Sequence, residues 1–507
     1  MSTPFRFERP ENLEILARPK LTVAIVIACR GGQEKLDLVL ASLAQQSYPA
    51  SLTKLYIIDD GSEPPIKLPN IRPKRSEIIQ YKNKSGHWGK TAATNGSLSK
   101  VKEDVIWFVD GDMVFDPDHL AHHMKWHHES DDYVVLGWKR FVAQWDYTPQ
   151  ALSKALAAGK FMDLHEQSWG KELWEARIER TKELTRPGVE GYRSLVGATF
   201  SMRNTQWKRV GGYNPQLITG EDVELGWRVF TSGLRLVPDR QAHSWHLGYS
   251  TVEENKEIIH RHNDPTLAQF IPQMHTIRAR QNFDWKVATY QLLVDVRNSN
   301  LSKLLNQIDQ LVGLVGTSVE IKLLAPWVTL QERYSPVADD FADIREIYNW
   351  VKGDSKFGYI DIDSNAELTI DYLLSLFAHS PTPYYLFTDG DFAINLKDLV
   401  DSLLISEEGL LGVASKDDRR AFALFAPALA RAARTKGNLY KNISSQWGVR
   451  WITEERFLEL NQGKKSRVKR FGRYLKREGK KVNSPRQLLI FIKKLVSLVL
   501  RKVLKSG

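Results

Sequence analysis

The run Val105 to Phe115, VIWFVDGDMVF, limits the fold more than any other stretch of the chain. Its first five residues are mostly apolar and read as a short buried strand, which stops abruptly at Asp110, Gly111 and Asp112. Ligands of open α/β sheets bind beyond that end of the strands. Two aspartates spaced by one glycine can present oxygens to a hard divalent cation, and such a cation can bridge a diphosphate. The same triplet also suits a tight turn, so neighbouring sequence has to decide.

Upstream the pattern is strand, loop, helix. Leu21 to Ala28 has the composition of a buried strand and leads through Arg30, Gly31 and Gly32 into Gln33 to Gln46, where Leu36, Val39, Leu40 and Leu43 fall at helical spacing. Leu55 to Ile58 forms a second strand that also ends in carboxylates, Asp59 and Asp60, followed by Gly61 and Ser62. A loop-like segment, Asn83 to Gly96, precedes a helix and then the strand carrying Asp110. Alternating strands and helices predict an α/β fold with a largely parallel sheet and its site at the strand ends.

Gly197 to Gly248 is the second informative stretch. Glu221 and Asp222 stand at the start of a predicted helix bearing Val223, Leu225, Trp227 and Phe230. Capping and the helix macrodipole favour acids there without any catalytic role.

Taken together, Val23 to Asp112 resembles the nucleotide-binding half of a family-2 glycosyltransferase of the GT-A fold. The features that carry the resemblance are the strand and turn at Arg30, IIDDGS at Ile57 to Ser62, the loop from Gly89 to Gly96 and the Asp-Gly-Asp. Gly197 to Gly248 resembles the acceptor half, with GEDVELGWR and the pair Trp245 and His246. The resemblance implies that Arg30, Asp59, Asp60, Gly89, Lys90, Asp110 and Gly111 bind the donor, Asp60 at the nucleoside and Lys90 at phosphate. It casts Asp110, Asp112 and His246 as ligands of Mn²⁺ or Mg²⁺, with His243 as the fallback, Asp222 as catalytic base and Glu221 as its support. The wording is similar to that of bacterial chondroitin polymerases and animal polypeptide N-acetylgalactosaminyltransferases. Those carry tryptophan and glycine before the acidic motif, where this chain has Leu217, Ile218 and Thr219, so N-acetylgalactosamine is not inferred as the donor sugar.

A weaker second copy of the pattern runs from about Trp285. Tyr290 to Val296 and Val319 to Leu324 read as strands, and YYLFTDGD at Tyr384 to Asp391 echoes WFVDGD. Arg420 to Arg431 is similar to the stretch from Gly197, and ITEE at Ile452 to Glu455 faintly matches ITGED. The expected organisation is a lead over 1–20, a GT-A domain over 21–280, a second, degenerate GT-A-like domain over 281–460, and a tail over 461–507.

That tail holds 16 Lys or Arg against one acid, a net +15 that leaves −4 of the total +11 for the rest. With the apolar positions of Gln487 to Lys505 it predicts an amphipathic helix drawn through residues 464–505 to an anionic membrane surface. The rest of the chain is slightly acidic, so nucleic acid is not an expected partner. A single cysteine, Cys29, and a start without an apolar signal core predict a cytoplasmic protein, peripheral at the inner face of the plasma membrane. His119, His122, His123, His127 and His128 lack a familiar zinc spacing and predict a partly exposed helix.

The expected function is transfer of a sugar, with inversion, from a nucleotide-diphospho-sugar such as a UDP-sugar to a cell-surface glycan or lipid-linked acceptor. Two readings compete: a bifunctional polysaccharide polymerase with two active domains, and a non-catalytic glycan- or partner-binding module at the membrane.

Overall fold

The computed structural model describes residues 9–82, 89–143, 145–165, 173–186, 188–248, 254–272, 278, 285–312, 318–377 and 381–461. They fall into two compact units, one taking in residues up to 411 and 421–450, the other 412–420 and the chain from 451. The basic tail lies outside the described residues.

The larger unit opens with a sheet of eight strands, β1 (Val23–Cys29), β2 (Thr53–Asp59), β3 (Ser76–Gln80), β4 (Val105–Val109), β5 (Met113–Phe115), β6 (Tyr133–Val142), β7 (Thr199–Arg203) and β8 (Arg235–Leu247). Their order is β3-β2-β1-β4-β7-β6-β8-β5. The first four are mutually parallel, as the strand–helix alternation predicts, and β7 turns antiparallel against β4.

Alternate residues of β1 feed two cores, which explains its unbroken apolar run. Val23, Ile25 and Ile27 pack with Leu36, Val39, Leu40 and Leu43 of helix α1 (Gln33–Leu43), while Ala24 and Val26 pack with Phe108, Phe200 and Trp207 on the other side. Each fully buried Val, Ile, Leu or Phe side chain among them contributes about 1.5–3 kcal/mol by leaving water. Burial on both faces fixes the strand ends, and so the carboxylates that follow them.

The helix rich in histidine, α3 (His119–Glu129), is partly exposed, with Glu129 exposed and His122 and His128 half-buried, but His119, His123 and His127 are fully buried. Spaced four apart, they share the face turned to the sheet. His119 stacks on Trp107 at 5.2 Å and bonds Thr199, and His123 and His127 both reach the Ser201 hydroxyl at 2.8 Å. Burial pushes all three imidazoles below their usual pKa, His127 to about 3. They are neutral core residues with polar partners.

The second sheet repeats the first. With β9 (Tyr290–Asp295), β10 (Val319–Ala325), β11 (Phe357–Asp361), β12 (Tyr384–Asp389), β13 (Leu410–Ala414), β14 (Arg420–Phe425) and β15 (Val449–Thr453), the order within the larger unit is β11-β10-β9-β12-β14. This reproduces β3-β2-β1-β4-β7 with the same parallel and antiparallel pairings. Strands β13 and β15 each run from the larger unit into the smaller.

Registers agree residue by residue. Val23 faces Val105 and Thr53, while Tyr290 faces Tyr384 and Val319. Counting along the paired strands, Asp110 and Asp112 correspond to Asp389 and Asp391, Arg30 to Arg297, Asp59 to Ala325, and Asp60 to Pro326. The expected match of ITEE to ITGED is not met, because Ile452 and Thr453 lie within β15. The helix preceding that strand is Leu439–Gln446, which has no acid in its first turn.

Candidate active site

Strands β1, β2 and β4 end side by side, and each delivers polar residues to that edge. Beyond β4, Asp112 enters the ladder of β5 with β8, where Met113 faces His246 and the Leu247 amide donates to the Asp112 carbonyl at 2.8 Å. This pairing sets His246 Nε2 3.5 Å from Asp112 Oδ1. One ligand atom each of Asp110, Asp112 and His246 lies within 4.8 Å of the others, the one such group among the described residues. Two carboxylates and an imidazole suit Mn²⁺ or Mg²⁺, hard ions that accept oxygen and, for Mn²⁺, nitrogen ligands. His246 Nδ1 is buried, which leaves Nε2 as the ring nitrogen turned to Asp112. His243, three residues earlier on the same strand, is not in the group. Its carbonyl accepts from His119 Nδ1 at 2.8 Å.

The second half of the site is α7 (Glu221–Thr231), entered through Gly220 in the left-handed conformation, φ 76°. Asp222 accepts from the Gly197 amide at 3.0 Å and from the Val223 amide at 2.8 Å, so both carboxylate oxygens are oriented. A Cβ at Gly197 would stand 3.2 Å from Lys90 Nζ and 3.6 Å from both Asp222 Cβ and Glu221 Oε1, so a side chain there would crowd the acids.

Lys90, the first residue of α2 (Lys90–Ser97), joins the halves. Its Nζ is 2.6 Å from Asp110 Oδ1 and 3.5 Å from Glu221 Oε1. Burial disfavours the ammonium, but the carboxylates outweigh it and hold its pKa well above the usual value. Burial raises Glu221 to about 7 against the pull of Lys90, and raises Asp222 against its two backbone donors and Lys90.

The two aspartates after β2 differ. Asp59 is fully buried and receives the amides of Ser62 and Ile66 and the Gln80 side chain, at 2.9, 3.2 and 3.0 Å. Its carboxylate shapes the loop. Asp60 is half-buried and takes the Gly89 amide at 2.8 Å, tying this loop to the start of α2. Arg30 is exposed at the end of β1. Gly111 follows Asp110 at the rim.

Two residues of the site carry no signal in the sequence. Lys35 Nζ lies 3.9 Å from Asp112 Oδ2 and donates to the Leu247 carbonyl at 2.7 Å, yet on its own it reads as a polar position of α1. Gly197 sits inside a recognisable stretch, but only the close approach of α7 gives it meaning.

The second sheet's equivalent edge is built otherwise. Arg297 is held by Asp295 at 2.8 Å and by the carbonyls of Asp363, Ser364 and Ala366 at 3.1, 3.0 and 2.9 Å.

A sheet whose parallel strands end in an Asp-Gly-Asp, crossed by an antiparallel strand and faced by a helix opening on two acids, defines a GT-A domain. Residues 24–194 match the model of the family described as glycosyl transferase family 2. No curated protein matches the sequence. Among solved structures the chain is similar to the mannosyltransferase PcManGT from Pyrobaculum calidifontis in complex with GDP-Man and Mn²⁺, at 12% identity over 50% of this chain and 65% of that one, TM-score 0.33. It is also similar to S. aureus TarS, residues 1–349 (17%, 48% and 64%, 0.31), and to GalNAc-T7 with UDP, GalNAc and Mn²⁺ (14%, 46% and 44%, 0.31). The chain thus spans less than two thirds of each.

Proposed function

We propose that the first domain is a metal-dependent glycosyltransferase that moves a sugar from a nucleotide-diphospho-sugar, a UDP-sugar being the expected donor, to a hydroxyl of a cell-surface glycan or lipid-linked acceptor, with inversion. The observation that carries this is the gathering of Asp110, Asp112 and His246 on one side and Asp222 on the other, joined through Lys90 and Glu221.

Asp60, with Arg30 and Gly89 beside it, takes the nucleoside end of the donor, while Asp59 holds the loop that presents them. Asp110, Asp112 and His246 hold Mn²⁺ or Mg²⁺. A bound divalent ion supplies Lewis-acid neutralisation of the departing nucleoside diphosphate. Lys90 adds a fixed positive charge near the same phosphates.

A sugar hydroxyl is a poor nucleophile near neutral pH, and a carboxylate in hydrogen-bond reach removes its proton as attack proceeds. Asp222 suits that role, since two amides fix its plane and its raised pKa makes it a stronger base than a solvated aspartate. The hydroxyl oxygen bonds to the anomeric carbon, the bond to diphosphate breaks, and the proton passes to Asp222. Glu221 holds the Lys90 ammonium beside that base.

The domain over 281–460 serves as a degenerate copy. Ala325 and Pro326 stand where Asp59 and Asp60 stand in the first, and Leu439–Gln446 offers no acid where α7 offers Glu221 and Asp222. This favours one active centre over a bifunctional polymerase. Among the described residues no helix is long and apolar enough to cross a membrane. Attachment through residues 464–505 to the inner face of the plasma membrane is part of the proposal.

The test of mechanism is the anomeric configuration of the product, read by NMR with the matched donor. Inversion with loss in Asp222→Asn supports direct displacement, whereas retention would remove Asp222 as base.

A further inference from the structure

At the opposite end of α7 from Glu221 and Asp222 the two sheet domains enclose a cavity of about 420 Å³. Arg209 and Arg235 reach it from the first domain, and Arg431 and Arg434 come from the helix Ala426–Ala432 and the turn after it. The acids lining it are Asp131 and Asp132, so four guanidinium groups face two carboxylates.

Asp132 is already engaged, 3.2 Å from Arg431 Nη2 and 3.2 Å from Arg434 Nε. Arg434 also donates to the carbonyls of Ser232 and Gly233, which close the end of α7. Arg431 Nη1, by contrast, is buried and has no hydrogen-bond partner among the described residues. A buried guanidinium N–H left unpaired is costly, and a positive excess of two in a partly closed space is repulsive. Burial and the neighbouring Arg235 lower Arg431 to about 10, in keeping with that crowding.

We propose that this cavity binds a phosphate monoester, held by its dianionic phosphate between Arg431, Arg209 and Arg235. Two negative charges match the excess of the lining, and planar guanidinium forks pair two donors with two phosphate oxygens. The volume falls within the ~300–1,000 Å³ of small-molecule sites and leaves room for the organic part of the ester. The cavity shares no lining residue with Asp110, Asp112, His246 or Asp222.

The test is isothermal titration of glycerol 3-phosphate, and separately of inorganic phosphate, into the full chain at constant ionic strength with EDTA. EDTA keeps the carboxylate–histidine group from recruiting phosphate through a metal. Wild type and three variants are compared: Arg431→Gln, Arg209→Gln, and Lys160→Gln, which removes one exposed charge outside the cavity. Saturable one-to-one binding is expected, weakened roughly tenfold in each arginine variant and unchanged in Lys160→Gln. Equal affinity for both probes would identify the phosphate alone as the recognised group, and tighter ester binding would place the organic part in the remaining volume. Arg209 is exposed, and the ion pairs of Asp132 are made by Arg431 and Arg434, so Arg209→Gln should stay folded even if Arg431→Gln does not. Absence of saturable binding in wild type, or unchanged binding in folded Arg209→Gln, overturns the proposal.

Discussion

Lys90 Nζ stands 2.6 Å from Asp110 Oδ1 and so connects the carboxylates after β4 to Glu221 at the head of α7. Without that cation three acids would face one another across Gly197 with little to offset them. Lys90→Met should therefore lower donor turnover by about a hundredfold or more, as removing a preorganised charge at a developing anion does. Steady-state kinetics with saturating Mn²⁺ checks this, and Lys90→Arg should recover part of the loss.

Glu221 gives a pH signature. Its folded pKa of about 7 lies above the ordinary 4.5, so the folded state holds the proton more tightly than the unfolded state does. Its favourable contribution is full below pH 4.5 and is lost as pH rises through about 7. Glu221→Gln should then gain in melting temperature over wild type as pH is raised through this window, measured with EDTA. A constant difference across the window would contradict the assignment.

The histidine face of α3 behaves in the opposite sense. His127 falls from 6.5 to about 3 on folding, so its neutral form is favoured and stability is lost as pH drops below 6.5. Each such histidine steepens the loss by about 1.4 kcal/mol per pH unit. Chemical denaturation between pH 7 and pH 5 should show a shallower slope in His127→Gln, which keeps a donor for Ser201.

Asp391 stands in the second sheet where Asp112 stands in the first. Asp391→Ala should leave donor turnover unchanged, because Ala325 and Pro326 occupy the places of Asp59 and Asp60. A variant that loses one of two separable transfer activities would restore the bifunctional reading.

Much of this was legible in the sequence because it was local. An apolar run ending in acids marks a strand and its rim, so β1, β2, β4, β9, β10 and β12 lie within a residue or two of expectation. The Asp-Gly-Asp and the Glu-Asp stood out only through the resemblance of the stretches that carry them to a family-2 glycosyltransferase. What pairing creates was not legible. Histidines at four-residue spacing read as polar until the face of α3 met Thr199 and Ser201, and ITEE resembled ITGED until chain order put its first two residues at the end of strand β15. Lys35 and Gly197 matter only through partners far along the chain.

The most direct measurement is turnover across a panel of nucleotide sugars with Mn²⁺, comparing wild type with Asp112→Ala and Asp222→Asn. Metal-dependent consumption of one donor, lost in both variants while their folded spectra persist, is the predicted result. Folded wild type that neither binds nor consumes any donor would contradict the account and favour a binding module.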